Sequence, residues 1–284
     1  MSGPRYHFEE GEYRKKINSP STSPEYFAQF IQPLIEKALQ ERSSKSEDSV
    51  KLLDLACGHA TALKQVEHIP GSEELEIFGI DLSAETLEKA EARFDLEHPN
   101  MNITFIAHDA EENLEHPEPS SIDIGIAINA MAYKQAHMLK TLFNALKPGG
   151  KCVINFFIPG TNTPYIEYYQ SNGCSLKQRT LDVEVDGFIK TYHLLVTDFA
   201  NYPDEQLQKL GQQAFFQSIE DIRDIAEFIG FEVDDEAEFS FHSEGIGNRV
   251  HNNVLTLKKP ESPALTDTIA QVRERVRETV DLEG

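Results

Sequence analysis

Leu52–Leu53–Asp54–Leu55–Ala56–Cys57–Gly58–His59–Ala60 reads as an apolar strand that ends in an acid and runs into a turn of small residues. A second apolar run, Ile77–Phe78–Gly79–Ile80, ends in a second acid, Asp81. A strand, a tight turn, a helix and a second strand tipped by a carboxylate make half of a nucleotide-binding fold. In a parallel sheet that order sets both acids and a turn of bare backbone at the edge where ligands bind.

The pattern continues in both directions. Val50–Leu55 is the first strand, Thr61–His68 a short helix and Ile77–Ile80 the second strand. Ser83 is placed to cap a helix over Ala84–Phe94, with Glu85 and Glu88 in its first turns. Ile103–Ala107 is the third strand, and Ile122–Ile128, a continuous apolar run, suits a fourth strand buried on both faces. A helix over Ala136–Leu146 stops at Pro148–Gly149–Gly150 and is followed by a fifth strand, Lys151–Ile158. Strands alternating with helices imply right-handed crossovers and an α/β fold with a parallel sheet.

Five segments follow from composition and pattern. Residues 1–49 form an N-terminal lid and helix, with Ser23 as cap, Pro24 in first position and Phe27, Phe30, Ile31, Leu34 and Ile35 at helical spacing. Residues 50–160 form the ligand-binding core. Residues 161–216 break the alternation with a tyrosine cluster and a hairpin around Asp186–Gly187, and read as an inserted cap. In residues 217–259 the core resumes with a helix over Ser218–Ile229 and strands over Phe231–Phe241 and Asn253–Lys258. Residues 260–284 read as a tail helix with Ile269, Val272, Val276 and Val280 on one face.

Composition excludes several classes of function. Lys plus Arg number 26 against 48 Asp plus Glu, a net charge of −22 over 284 residues. Such a surface repels phosphate backbones, so no nucleic-acid partner is expected. Cys57, Cys152 and Cys174 are too few and too widely spaced for a disulfide framework or a metal site. Cys57 and Cys152 read as buried small hydrophobes in a reducing compartment. No apolar signal core and no membrane-length run is present, so the expectation is a cytoplasmic protein with no membrane partner. The insert and the tail helix offer surfaces for a homodimer.

The turn carries a single glycine, Gly58, where the chain can bend sharply and a ligand can approach the backbone. Without G-x-G-x-x-G, a ligand smaller and less anionic than a dinucleotide is favoured. Asp81, at the tip of the second strand, can accept both hydroxyls of a ribose. Leu82 beside it can cover one face of an adenine. Asp109 can accept from an adenine amino group, with the Ala110 backbone as a donor. Asn129, Ala130 and Met131 follow the fourth strand toward the far end of the ligand.

With these residues placed, the chain resembles the class I S-adenosylmethionine-dependent methyltransferases. The matching motifs are Leu53–Asp54–Leu55–Ala56–Cys57–Gly58, Gly79–Ile80–Asp81–Leu82–Ser83, Ala107–His108–Asp109–Ala110, Ile122–Asp123–Ile124 and Leu146–Lys147–Pro148–Gly149–Gly150–Lys151, in the family's order. The resemblance implies a Rossmann-like, doubly wound, mostly parallel seven-stranded sheet with helices on both faces and a cap inserted after strand five. It also implies S-adenosyl-L-methionine as cofactor, with Asp54, Ala56 and Gly58 shaping the methionine pocket. Asp81 would hold the ribose, Leu82, Asp109 and Ala110 the adenine, and Asn129 the methionine side. Tyr13, with Tyr6 and Phe8 nearby, would belong to a lid over the cofactor.

Two positions depart from the family. Ala60 stands where it usually has glycine; alanine adds one methyl and is expected to be tolerated there if φ is negative. Ala132–Tyr133 stands where members with small substrates often carry histidine.

Methyl transfer from a sulfonium is an in-line displacement with a neutral leaving group. The enzyme has mainly to align the nucleophile and exclude water. A base serves only a nucleophile that carries a proton, and the candidates are Tyr133, His137 and His193, followed by His242 and His251. Tyr133, Tyr165, Tyr168 and Tyr169 are the candidate substrate contacts. The activity expected is methylation of a small molecule on O, N or C. A protein methyltransferase is the alternative, and a non-catalytic binding module is disfavoured by the presence of both Gly58 and Asp81.

Overall fold

The computed structural model describes residues 23–42, 49–110, 112–130, 135–171, 173–185, 187–198, 212–243 and 248–261. Strands β1 (Val50–Leu55), β2 (Leu75–Asp81), β3 (Ile103–Ala107), β4 (Ile122–Ala127) and β5 (Leu146–Phe156) run parallel, and β9 (Glu232–Ser243) and β10 (Asn248–Lys258) complete the sheet. The order among the described residues is β3-β2-β1-β4-β5-β10-β9, with β10 antiparallel to both β5 and β9. The fold is therefore the Rossmann-like, mostly parallel seven-stranded sheet. The order reverses direction beside β1, which makes the carboxyl ends of β1 and β4 the crevice of the sheet.

Alternation along each strand divides the core into two layers. Val50 and Leu52 of β1 join Ile124, Ile126, Val153 and Val254 on one face. Leu53 and Leu55 join Phe78, Ile80, Cys152 and Ile154 on the other. The first face is covered by helix α1, the 3-10 segment Ala62–His68 and helix α2 (Ala84–Glu97). Helix α1 consists of Pro24–Tyr26, a π-helical turn Phe27–Ile31 and Gln32–Arg42. Its cap is Ser23, whose hydroxyl accepts from the Tyr26 N–H at 3.2 Å. Helices α3 (Gln135–Ala145) and α5 (Ile219–Ile229) cover the second face through residues such as Leu139, Leu142, Ile222 and Ile225.

The chain after β5 builds a second sheet. Helix α4 (Thr163–Ser171) is followed by β6 (Ser175–Val185), β7 (Phe188–Asp198) and β8 (Gln212–Phe216), paired antiparallel in that order. Val183, Val185, Leu194 and Phe216 turn inward and pack with Phe156 and Ile158, where β5 leaves the main sheet. Tyr192 donates its hydroxyl to Asp224 of α5 at 2.8 Å, and Lys190 bonds the other oxygen of the same carboxylate.

The sequence reading differs in detail at β5. It takes Pro148–Gly149–Gly150 as a break between helix and strand, whereas the extended chain runs through from Leu146. Lys259 explains this: its C=O accepts from the Gly149 N–H and its N–H donates to the Gly150 C=O, so the stretch is paired like a strand. The segment expected as a helix over Thr61–His68 is a tighter 3-10 helix.

Candidate functional site

At the carboxyl edge, the chain leaves β1 through a turn in which three alternate residues have positive φ: Ala56 at 59°, Gly58 at 53° and Ala60 at 52°. The Ala60 φ is positive, so the condition under which alanine would sit there without strain is not met. Alanine holds the conformation that glycine adopts freely, at a cost of about 1–2 kcal/mol. The turn is held on three sides. The Cys57 N–H donates to the Ile80 C=O at 2.9 Å, and the Ala60 N–H to the Cys57 C=O at 2.7 Å. Arg93 of α2 reaches across to the His59 C=O.

Asp81 ties the turn to β2. One carboxylate oxygen accepts from the Gly58 N–H at 2.9 Å and the other from the Ser83 N–H at 3.0 Å. Each oxygen keeps a further acceptor position. A side chain built at Gly58 would meet nothing within 4 Å, so the space over the turn is open. Leu82, next along, is 59% exposed. Asp54 lies below, only 3% exposed, and among the described residues its carboxylate has no hydrogen bond. Burial, and after it the charge of Asp81, holds the Asp54 carboxyl well above the usual carboxylate range. Burial also pushes up the half-buried Cys57 thiol, with Asp54 and Asp81 adding to it, so the group stays a thiol.

The sheet register brings the other residues alongside. Ala107 pairs with Asp81, and the His108 N–H donates to the Asp81 C=O at 3.0 Å, setting Asp109 and Ala110 next to Leu82. On the other side of β1, Ile126 pairs with Asp54, and two residues beyond the end of β4 stands Asn129, exposed and with a φ of 58°. Asp54, Ala56, Gly58, Asp81, Leu82, Asp109, Ala110 and Asn129 are thus brought to one edge. Asp123 of the fourth-strand motif is at the opposite edge, where it accepts from the Lys51 N–H at 2.8 Å and pairs with Lys147. Its part is to join strand ends.

The base candidates are scattered. His137 is exposed in the first turn of α3. His193 is exposed on β7, between Tyr192 and Leu194, which face the core. His251, on β10, has its Nδ1 2.7 Å from the Ser240 hydroxyl. Tyr6, Phe8, Tyr13 and Tyr133 lie outside the described residues, as do the side chains of Tyr165, Tyr168, Tyr169 and His242. Among the described residues no group of His, Cys, Asp or Glu is arranged to hold a metal ion, and no helix is long and apolar enough to cross a membrane.

Two contributors escaped the sequence reading. Arg93 carries no local signal, since it is one charged residue in a charged helix. Asn155 does carry one: a polar residue inside the apolar strand Val153–Ile154–Asn155–Phe156–Phe157, fully buried. A buried amide requires partners, and it has them in Asn129 and Asn252.

A family model described as a methyltransferase domain matches residues 46–178. Among solved structures the chain is similar to a S-adenosylmethionine-dependent methyltransferase from Methanosarcina mazei (TM-score 0.53, 16% identity, 78% of this chain and 97% of that one). It is also similar to a protein from Pyrococcus horikoshii (TM-score 0.53, 19% identity, 89% and 100%). A S-adenosylmethionine-dependent methyltransferase from Clostridium acetobutylicum gives a TM-score of 0.50 at 15% identity, over 88% of this chain and 96% of that one. At these identities the likeness is one of fold. No curated protein sequence matches the chain.

Proposed function

We propose that this chain, which a methyltransferase-domain family model matches over residues 46–178, is a class I S-adenosylmethionine-dependent methyltransferase that methylates an O, N or C nucleophile of a small molecule. The observation that carries the reading is the Asp81 carboxylate, anchored by two main-chain N–H groups with acceptor positions to spare, between open space over Gly58 and the exposed Leu82. A nucleoside needs that set: a bidentate acceptor for vicinal hydroxyls, an apolar surface for a base, and backbone that a ligand can approach.

When bound, the cofactor supplies an electrophilic sulfonium methyl and leaves as a neutral thioether. The chain's own tasks are to bind, orient and exclude water. Asp81 holds the ribose. Leu82, Asp109 and the Ala110 backbone flank the adenine. Asp54, Ala56, Gly58 and Asn129 shape the methionine end, and Tyr13 belongs to the lid. Tyr133 and His137 come after β4 in the sequence and are the proposed candidates for a base. His193, on the exposed face of β7, is not among them. Tyr165, Tyr168 and Tyr169, on α4, are proposed acceptor contacts.

A small acceptor is the reading favoured by the second sheet, whose inward residues share one apolar cluster with Phe156 and Ile158 at the carboxyl end of β5 and would wall that edge. A walled site favours an acceptor small enough to be surrounded. The net charge of −22 opposes a nucleic-acid acceptor.

Calorimetric titration with S-adenosylhomocysteine tests the cofactor site. The wild type should bind, and Asp81→Ala should raise Kd by tenfold or more, about 1.4 kcal/mol or above. Unchanged affinity would remove Asp81 from the ribose. Incubation of the protein with a cell extract and methyl-labelled cofactor tests the acceptor. Label in the low-mass fraction supports the reading, and label confined to protein overturns it.

A further inference from the structure

Asn129 keeps a left-handed conformation in the open, at the lip of the crevice, with a φ of 58°. Asparagine is among the few residues besides glycine that adopt this conformation, at a modest cost, and hydrogen bonds from the surroundings fix it there. Among the described residues, a buried side chain engages it twice. Asn155, with no exposure to solvent, accepts from the Asn129 N–H through Oδ1 at 2.6 Å. It also donates from Nδ2 to the Asn129 side-chain oxygen at 3.0 Å. The pair reads both the backbone and the side chain of Asn129, which fixes its torsions as well as its position. The same Nδ2 is 3.4 Å from Oδ1 of buried Asn252 on β10.

The row is fixed at its far end too. Beyond the last β5–β10 pair, Phe156 with Asn253, the ladder is continued by a side chain. Buried Asn162, at the foot of the insert, accepts from the His251 N–H at 2.8 Å and donates to the His251 C=O at 3.0 Å. Main chain next to Asn252 is thereby clamped to the segment that leads into α4.

We propose that Asn155 is a positioning residue for the cofactor: it holds Asn129 in its left-handed conformation so that Asn129 meets the methionine end, and through Asn252 it ties that loop to the root of the insert. The proposal rests on the cofactor reading above. A polar residue is otherwise unfavourable in a strand buried on both faces, and an apolar one would fill the position without needing partners. The residue it holds follows β4, which pairs with β1 next to the Asp54–Ala60 turn, where a misplacement of a fraction of an ångström is felt by a ligand.

The test is titration with S-adenosylhomocysteine of the wild type, Asn155→Leu, Asn129→Gly and the double variant. Leucine keeps the volume and removes both hydrogen bonds. Glycine accepts the positive φ without a partner. Asn155→Leu should raise Kd about tenfold or more in the wild-type background. It should have a clearly smaller further effect in the Asn129→Gly background, where the side-chain bond is gone and only the backbone N–H of position 129 still meets Asn155. Equal loss in both backgrounds, or no loss in the first, overturns the proposal. If Asn155→Leu does not fold, Asn155→Ser takes its place in the same cycle. A wild type that does not bind the probe counts against the cofactor reading instead.

Discussion

Ala56 and Ala60 share a conformation that costs an L-residue about 1–2 kcal/mol, yet their surroundings differ. Ala56 is half-buried, whereas Ala60 is fully buried and packs in the core layer beneath α1. Ala56→Gly should therefore stabilise the protein by about 0.5–1 kcal/mol after the entropy that glycine adds to the unfolded chain. Ala60→Gly gains the same relief but loses a buried methyl worth about 0.8 kcal/mol, and should be close to neutral. Urea midpoints of the two variants against wild type check the difference. Asp54 offers a second prediction. Its folded pKa is raised by burial and by Asp81, so the native state binds the proton more tightly than the unfolded chain does. That stability is whole below the unfolded value of about 3.9 and is lost as pH rises toward the folded one. Asp54→Asn keeps the shape without the charge. It should match the wild type in acid and exceed it at neutral pH, as melting temperatures from roughly pH 4 to pH 8 will show.

At the scale of elements, two helix ends decide how α2 and α5 sit. Ser83 caps α2 by accepting from the Thr86 N–H at 3.2 Å, while its own N–H orders Asp81. Ser83→Ala removes the cap together with the bond from the Thr86 hydroxyl, and should cost about 1 kcal/mol in thermal unfolding, with the Asp81 contact kept. Gly230 ends α5 with a φ of 123°, and a Cβ there would come within 3.0 Å of the Phe143 ring on α3. Gly230→Ala combines backbone strain with a clash in the seam between α3 and α5, and should cost more than the Ser83 cap, about 2 kcal/mol. Elements such as these are legible in sequence because a cap, an apolar period and a terminating glycine lie within a few residues of one another. The start of β5 is not legible, because the partner that makes Pro148–Gly149–Gly150 extended is Lys259, more than a hundred positions away.

At the scale of the whole molecule, the second sheet is fastened to α5, which covers the main sheet, through Asp224. Its carboxylate takes the hydroxyl of buried Tyr192 and the ammonium of Lys190. Burial, and after it the bond to Asp224, pushes the Tyr192 phenol far up, so it remains a donor. Asp224→Ala would leave that hydroxyl buried without its acceptor, at about 1–3 kcal/mol of local stability. Hydrogen exchange should then quicken in β6, β7 and β8 and stay unchanged in β1 and β2. Uniform quickening would mean that the two sheets unfold as one unit.

The sequence by itself determined the sheet and the edge to which Asp54, Gly58, Asp81 and Asp109 are brought. Strand ends, the acids that tip them and the turn after β1 are local features, and a period of two or of 3.6 shows where each strand and helix runs. Asp54, Gly58, Asp81 and Asp109 were legible for that reason. Tertiary structure alone decided the conformation of Ala60, the reach of Arg93 to His59, the hold of Asn155 on Asn129 and the face that His193 presents. Those depend on partners 34, 26 and more positions away, or on which side of a strand meets the core, and no local pattern names such partners. The turn from Asp54 to Ala60 belongs to both: its residues announce a ligand edge, and contacts from β2 and α2 give it its shape.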